Sequence, residues 1–241
     1  NLPTDLHAPA TIRALEHGKH VFCEKPIARH PADAQRMLDA AKAAGKLLMI
    51  GHCLRFFPEY LAADEVIRSG KHGKALSASF TRCGGIPDWG SENWFQNPAR
   101  SGGAVIDLHI HDVDIALWWF GAPAKIQAAG KAPNLIYSRW HYPSGPVVQF
   151  ECGWDPTPKS PFYYSFKIIL ERATILFDMR LGLQLATADK LESIPLTGLS
   201  GYEAEDNYFL DAILHGGNLD RCQPSAALAA LEAATETARQ L

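Results

Sequence analysis

Near residue 70 the chain changes the order in which its helices and strands alternate, and that change limits the folds open to it. Upstream the two kinds of segment take turns. Residues 8–17 carry helix formers with Pro9 near the start and Gly18 past the end, the proline-first, glycine-last order of a helix. Residues 20–23 are short and β-prone, 31–44 form a second helix stopped by Gly45, and Leu47 to Ile50 make a second apolar run before Gly51-His52. Strands without polar alternation, separated by helices, belong to a parallel sheet covered on both faces. One more helix follows over 57–69, ended by Gly70 and Gly73.

From Lys74 onward β-prone runs succeed one another at 75–83, 125–131, 135–142, 147–154, 162–171, 174–179 and 183–186, with turn punctuation such as Pro143-Ser-Gly-Pro146 between them. Consecutive strands with short turns predict an open, largely antiparallel sheet. In the run from Phe162 to Ile168 the even positions are mostly apolar, so one face packs inward. Helices over 202–215 and 224–240 close the chain. The expected fold is α/β plus α+β: part of a parallel sheet in residues 1–53, then a larger domain in 54–241 with a mostly antiparallel open sheet and helices on one face.

Composition removes several functions. With 20% charged residues and a net charge of −3, the chain offers no broad basic surface for phosphate backbones, so no nucleic acid partner is expected. Its apolar runs fall far short of the roughly 20 residues that cross a bilayer, so neither a membrane span nor a signal peptide is expected. The five cysteines are scattered and form no C-x-x-C, against a disulfide framework and against a zinc site, and a cytoplasmic location is expected.

Two segments carry chemistry. In Asp107-Leu-His-Ile-His111-Asp-Val-Asp114 a strand period would place Asp107, His109 and His111 on one face, a D-x-H-x-H like the metal-binding start of amidohydrolases. A helical period places Ile106, Ile110, Val113, Leu117 and Phe120 on one stripe and Asp107, His111, Asp114 and Trp118 on the next. The helical pattern persists to the stop signals Gly121 and Pro123, and the strand alternation ends at His111, so the segment is expected to be one continuous helix. A His111/Asp114 pair on a solvated helix face is the unremarkable alternative. Gly102-Gly103 before the helix and Trp89, Trp94 and Arg100 in the preceding loop argue for a site. The other segment is Glu24-Lys25-Pro26. Proline pushes the residue before it into extended geometry, so Lys25 is expected at the carboxyl edge of the parallel sheet, where open α/β sheets bind ligands. A surface Glu/Lys pair beside a turn proline is the alternative there.

These residues resemble the Gfo/Idh/MocA family of NAD(P)-dependent oxidoreductases. The similarity runs through Leu2-Pro-Thr-Asp-Leu-His7, Ala14 to Pro26, Gly51 to Pro58, Ser101-Gly-Gly103, the Asp107, His111 and Asp114 segment, and Tyr202-Glu with Phe209 and Ala212-Ile213. It implies that residues 1–53 are the later part of a Rossmann domain. It further implies that Lys25 contacts the nicotinamide ribose and the reacting hydroxyl, that His111 accepts the proton, and that Asp107 helps to hold substrate. Pro3, Thr4, His7 and Glu24 match positions lining the coenzyme, NAD or NADP. His109 stands where the family usually has glycine.

The expected activity is hydride transfer between NAD(P) and a hydroxyl of a sugar, cyclitol or related polyol. His52, Arg55, Trp94 and His109 are candidate substrate contacts, with Trp89 beside them, because carbohydrate faces stack on aromatics and hydroxyls need polar partners. Two other functions stay open: a metal-dependent hydrolase using Asp107, His109 and His111, and a non-catalytic scaffold. A homo-oligomer through the open sheet face is expected. No G-x-G-x-x-G occurs in the 241 residues, so the expectation is that further sequence precedes Asn1 and that this chain alone binds NAD(P) weakly or not at all.

Overall fold

The computed structural model describes residues 2–241. Its first layer is a small parallel sheet of β1 (Val21–Glu24) and β2 (Leu48–Gly51), with Val21 opposite Leu48 and Glu24 opposite Gly51. Helix α1 (His7–Glu16) precedes β1, and α2 (Pro31–Ala44) is the crossover between the strands. Helix α2 starts on Pro31 and ends at Gly45 in left-handed geometry, the termini that its sequence signals required. A short 3-10 turn, Cys53–Arg55, then leads into α3 (Pro58–Arg68).

The second layer is an eight-stranded sheet in the order β10-β9-β8-β7-β3-β6-β5-β4. Its members are β3 (Ala75–Gly85), β4 (Lys125–Lys131), β5 (Leu135–His141), β6 (Val147–Asp155), β7 (Tyr163–Leu170), β8 (Thr174–Asp178), β9 (Gly182–Ala186) and β10 (Leu191–Ser193). All pairs are antiparallel except β3 with β6. That parallel pair lies at the centre and follows from the long excursion between them, which includes the Asp107 to Asp114 segment.

Alternation along each strand gives the sheet one buried and one open face. Phe80, Trp140, Val148, Phe150, Phe166, Ile168, Ile175 and Phe177 are buried on the inner face, whereas Tyr137, Arg139, Gln149 and Lys167 point outward. Helices α4 (Pro98–Ser101), α5 (Ala104–Asp107) and α6 (Ile110–Phe120) occupy the excursion, and α7 (Gly201–His215) and α8 (Pro224–Arg239) close the chain. Ser200 and Glu203 form a capping box at the start of α7. On α8, Ala227, Ala230, Leu231, Ala234 and Thr237 make a buried stripe of mostly small side chains. This stripe packs α8 against α2, α5, α6 and β2, so the last helix joins the layers around the site. No described helix is long and apolar enough to cross a membrane.

Three departures from the sequence expectations matter. The expected continuous helix is two helices broken at Leu108-His109, where the His109 amide donates to Ala104 O at 2.8 Å, five residues back. A widened turn of that kind is a π-type irregularity, common at functional sites. The 91–101 loop is organised into a 3-10 segment, Ser91–Gln96, followed by α4. Strand β10 is a short edge strand that no sequence run announced.

Candidate active site

Lys25 follows directly on β1, and its peptide bond to Pro26 is cis. The Pro26 carbonyl is gripped from behind: His7 Nδ1 donates to it at 2.8 Å, and His7 Nε2 lies 3.0 Å from the Leu2 carbonyl. His7 therefore ties the N-terminal segment to the turn that presents Lys25. The same ring also lines the cleft along β1.

The Lys25 ammonium donates to the Asp107 carbonyl at 2.8 Å and to Asp107 Oδ1 at 3.2 Å. Both side chains are largely shielded, 16% and 10% exposed, so the contact exceeds an ordinary surface pair. Asp107 is brought there by Gly102 and Gly103, whose φ values are +86° and +72°. A Cβ on Gly102 would sit 2.5 Å from Ile106 Cβ, and one on Gly103 would sit 2.5 Å from Pro133 Cβ. Side chains at either position would push α5 away from its seat.

His111 enters α6 one widened turn after Asp107. It is half-buried, and its Nδ1 is buried without a hydrogen-bond partner among the described residues. Burial first, and the positive charge of Lys25 second, hold this imidazole well below its usual value, with Arg82 and His52 adding to the effect. At neutral pH His111 is an uncharged proton acceptor near an ammonium.

Helix α6 is fixed from both sides by buried arginines. Arg55 Nε and Nη2 reach Asp114 Oδ2 and Oδ1, both at 2.7 Å, and Arg55 Nη1 donates to the Arg221 carbonyl at 2.8 Å. Arg82 Nε and Nη2 bind Asp112 at 2.9 Å each, and Nη2 also donates to the Tyr60 hydroxyl. Fork-to-fork pairs of this kind fix orientation as well as distance. Arg82 and Asp112 escaped the sequence argument, although the signal was present: Arg82 occupies an inward position two residues after Phe80. Replacing Arg82 by methionine is expected to cost about 3–5 kcal/mol by leaving Asp112 buried and unpaired. Adding Asp112→Leu is expected to recover much of that loss, and chemical denaturation of the three proteins checks both numbers.

The candidate substrate contacts separate. Arg55 is spent on Asp114 and Arg221 and has no free fork for a sugar. His109 is fully buried, with its ring edge-on to Phe150 at 5.0 Å and Nε2 3.5 Å from Ser138 Oγ. It is a core residue turned onto the large sheet, and burial pushes its value down to about 3. His52 is 2% exposed, with Nδ1 3.6 Å from Asp114 Oδ2. Burial pushes it down to about 4, and neither ring nitrogen has a hydrogen-bond partner among the described residues. Trp94 stacks on Phe95 at 3.9 Å and is half-buried, while Trp89 packs edge-on to Phe95 and is 75% exposed. Asp107, His109 and His111 do not converge: Asp107 turns to Lys25 and His109 to β5 and β6. That divergence counts against the D-x-H-x-H hydrolase.

Along the free edge of β1 runs a cleft of about 210 Å³ between Leu2, His7, Thr11, Phe22 and Glu24. Thr4, 1% exposed and with its Oγ1 unpartnered among the described residues, lies in the adjoining 3-10 turn that half-buried Pro3 caps. Arg100 binds Asp5 of the same turn at 3.0 Å, joining the aromatic loop to the N-terminal segment.

Comparison with known proteins agrees with this architecture. Residues 1–52 match the oxidoreductase family with an NAD-binding Rossmann fold, and residues 60–176 match the GFO/IDH/MocA C-terminal domain. A D-glucoside 3-dehydrogenase of Escherichia coli (strain K12) is 35% identical over 165 residues, 66% of this chain and 43% of that enzyme. The matched segments cover less than half the length of the curated relatives. Among solved structures, an aldose-aldose oxidoreductase from Caulobacter crescentus superposes with a TM-score of 0.88 at 23% identity, over 100% of this chain and 76% of that one. A levoglucosan dehydrogenase holding NADH and levoglucosan superposes at 0.84 and 23% identity, over 99% of this chain and 76% of that one. With both halves matched in order and the fold shared, the chain belongs to the Gfo/Idh/MocA family of oxidoreductases.

Proposed function

We propose that this chain carries the lysine, aspartate and histidine of an NAD(P)-dependent dehydrogenase acting on a hydroxyl of a sugar, cyclitol or related polyol. The observation that carries the proposal is the Lys25 ammonium bound to Asp107 beside an uncharged His111. Alcohol oxidation needs a donor for the developing alkoxide and an acceptor for the hydroxyl proton, and these two groups supply both. Asp107 holds Lys25 through two acceptors and so fixes its direction.

The residues present fit the nicotinamide and ribose end of a coenzyme. Glu24 lines the cleft as an acceptor, Lys25 is a donor at the same sheet edge, and the buried Thr4 hydroxyl has no partner within the described residues. When bound, NAD or NADP supplies the hydride acceptor. In the oxidative direction Lys25 donates a hydrogen bond to the substrate oxygen and His111 takes the hydroxyl proton. Both arginine pairs hold α6, so that His111 keeps its place as that proton moves.

A carbohydrate substrate is supported by the relatives, whose names include a D-glucoside 3-dehydrogenase and a levoglucosan dehydrogenase. Trp94 and Trp89 offer the flat faces that sugar rings stack on. The test is NAD(P) reduction by the full-length protein with a panel of glucosides, anhydrosugars and cyclitols. Absence of turnover across the panel with both coenzymes would sink the assignment.

The open sheet face, where Ser77, Ser79, Gln149 and Lys167 line a shallow groove of about 230 Å³, is the proposed homo-oligomer surface. Placing Glu at Tyr137, which is 57% exposed there, is expected to shift the protein toward monomer in sedimentation velocity. An unchanged mass distribution would contradict that surface.

A further inference from the structure

The Gly102-Gly103 pair that lets α5 approach Pro133 is also the loosest joint the chain can make, since glycine restricts the backbone least. Both residues sit at positive φ, +86° and +72°. Beyond the joint, α5 is a single turn, Ala104–Asp107, too short to hold its own direction in water. The aim of Asp107 at Lys25 is therefore set by what holds the start of that turn. Three amides there are held from elsewhere: Ala104 donates to Asn134 Oδ1 at 3.2 Å, Val105 to the Pro133 carbonyl at 3.1 Å, and Gly103 to Ser101 Oγ at 3.0 Å.

Ser101 differs from the other two acceptors because it reaches back across the joint. It is 0% exposed, and a hydroxyl has one proton to give and lone pairs to receive. Its proton goes to the Phe95 carbonyl at 2.9 Å, with the Asn97 carbonyl at 3.2 Å as the longer alternative, and its oxygen accepts from the Gly103 amide. The series of donors then continues: the Asp107 amide donates to the Gly103 carbonyl at 2.9 Å, and Lys25 donates to the Asp107 carbonyl at 2.8 Å. Every donor in the series points toward Phe95, the arrangement in which hydrogen bonds polarise and strengthen one another. Phe95 is the buried ring on which Trp94 stacks at 3.9 Å and Trp89 packs at 4.6 Å.

We propose that Ser101 is a positioning residue whose hydroxyl couples the aromatic loop of Trp89, Trp94 and Phe95 to Asp107, so that a sugar ring seated on the loop and the Lys25 ammonium keep one register. A misplacement of about 1 Å between reacting groups is enough to slow chemistry severely. Without this hydroxyl the two glycines would let the loop and α5 move independently. The catalytic half of the inference rests on the dehydrogenase assignment, whereas the mechanical link does not.

The test compares full-length wild type, Trp94→Leu, Ser101→Ala and the double variant by amide hydrogen exchange of residues 102–107, and by NAD(P) reduction with the same panel of glucosides, anhydrosugars and cyclitols. Ser101→Ala is expected to speed exchange of the segment about tenfold, the worth of one buried hydrogen bond, and to lower kcat about tenfold through the lost register. Trp94→Leu in the wild-type background is expected to speed the same exchange and to lower kcat while raising KM. On Ser101→Ala it is expected to leave exchange and kcat unmoved and to raise KM alone, a non-additivity that coupled residues give and independent ones do not. Should Ser101→Ala fail to fold, Ser101→Cys, whose thiol is a weak donor and acceptor, serves the same comparison. Unchanged exchange in Ser101→Ala, or a Trp94→Leu effect on exchange equal in both backgrounds, overturns the link. The expected exchange beside a wild-type kcat in Ser101→Ala overturns the catalytic half. The expected exchange with no turnover by any of the four proteins removes the dehydrogenase assignment and leaves the link standing.

Discussion

Replacing Lys25 by methionine is expected to lower kcat/KM of the proposed sugar, cyclitol or polyol dehydrogenation by about 10²- to 10⁴-fold, the range set by losing a hydrogen-bond donor to a developing oxyanion. Methionine keeps the length and apolar stem of the side chain but removes the ammonium, so Asp107 loses the partner now at 2.8 and 3.2 Å. Stability is expected to fall by only about 1–3 kcal/mol, the cost of leaving a shielded acceptor unpaired. The two effects can be separated by assaying well below the unfolding midpoint, with secondary structure followed by circular dichroism. A folded Lys25→Met protein within tenfold of wild-type kcat/KM would remove Lys25 from the chemistry.

Substituting His111 by asparagine is the second large effect, about 10²- to 10⁴-fold in kcat for oxidation, the range for losing a positioned general base. His52 and His109, its neighbours by sequence or charge, are both buried and pushed down to about 4 and about 3. The pH profile gives a finer test. Protonated His111 cannot accept a proton, so oxidation fails on the acid side of its titration. Burial and then Lys25 hold His111 low, so the acid limb of wild-type kcat/KM is expected below the usual histidine range. In the residual activity of Lys25→Met that limb is expected to move to higher pH, since the opposing positive charge is gone. An unmoved limb, or one already near pH 6.5 in wild type, would show that the titrating base is another group.

Fold class was largely visible in the chain because it depends on periods that a short segment shows by itself. The wholly apolar runs around Val21 and Leu48 specified a parallel pair, and the alternation through Phe166 and Ile168 specified a half-open sheet. Pro31 and Gly45 marked both ends of α2 within a residue. Gly102 and Gly103 announced a close approach, which turned out to be to Ile106 and Pro133.

Partner choice was not visible. Arg55 and Asp114 stand 59 residues apart and Arg82 and Asp112 stand 30 apart, and nothing local distinguishes such a pair from a solvated charge. Whether His109 faces a ligand or the core was decided by the widened turn after Ala104, which rotates it onto Phe150. By itself the sequence determined most of the helices and strands and the residue types able to move a proton, since these follow from spacing along one segment. Only the tertiary structure decided which charges meet and which titratable groups lose water, because burial is a property of packed layers and is set by residues remote in the chain.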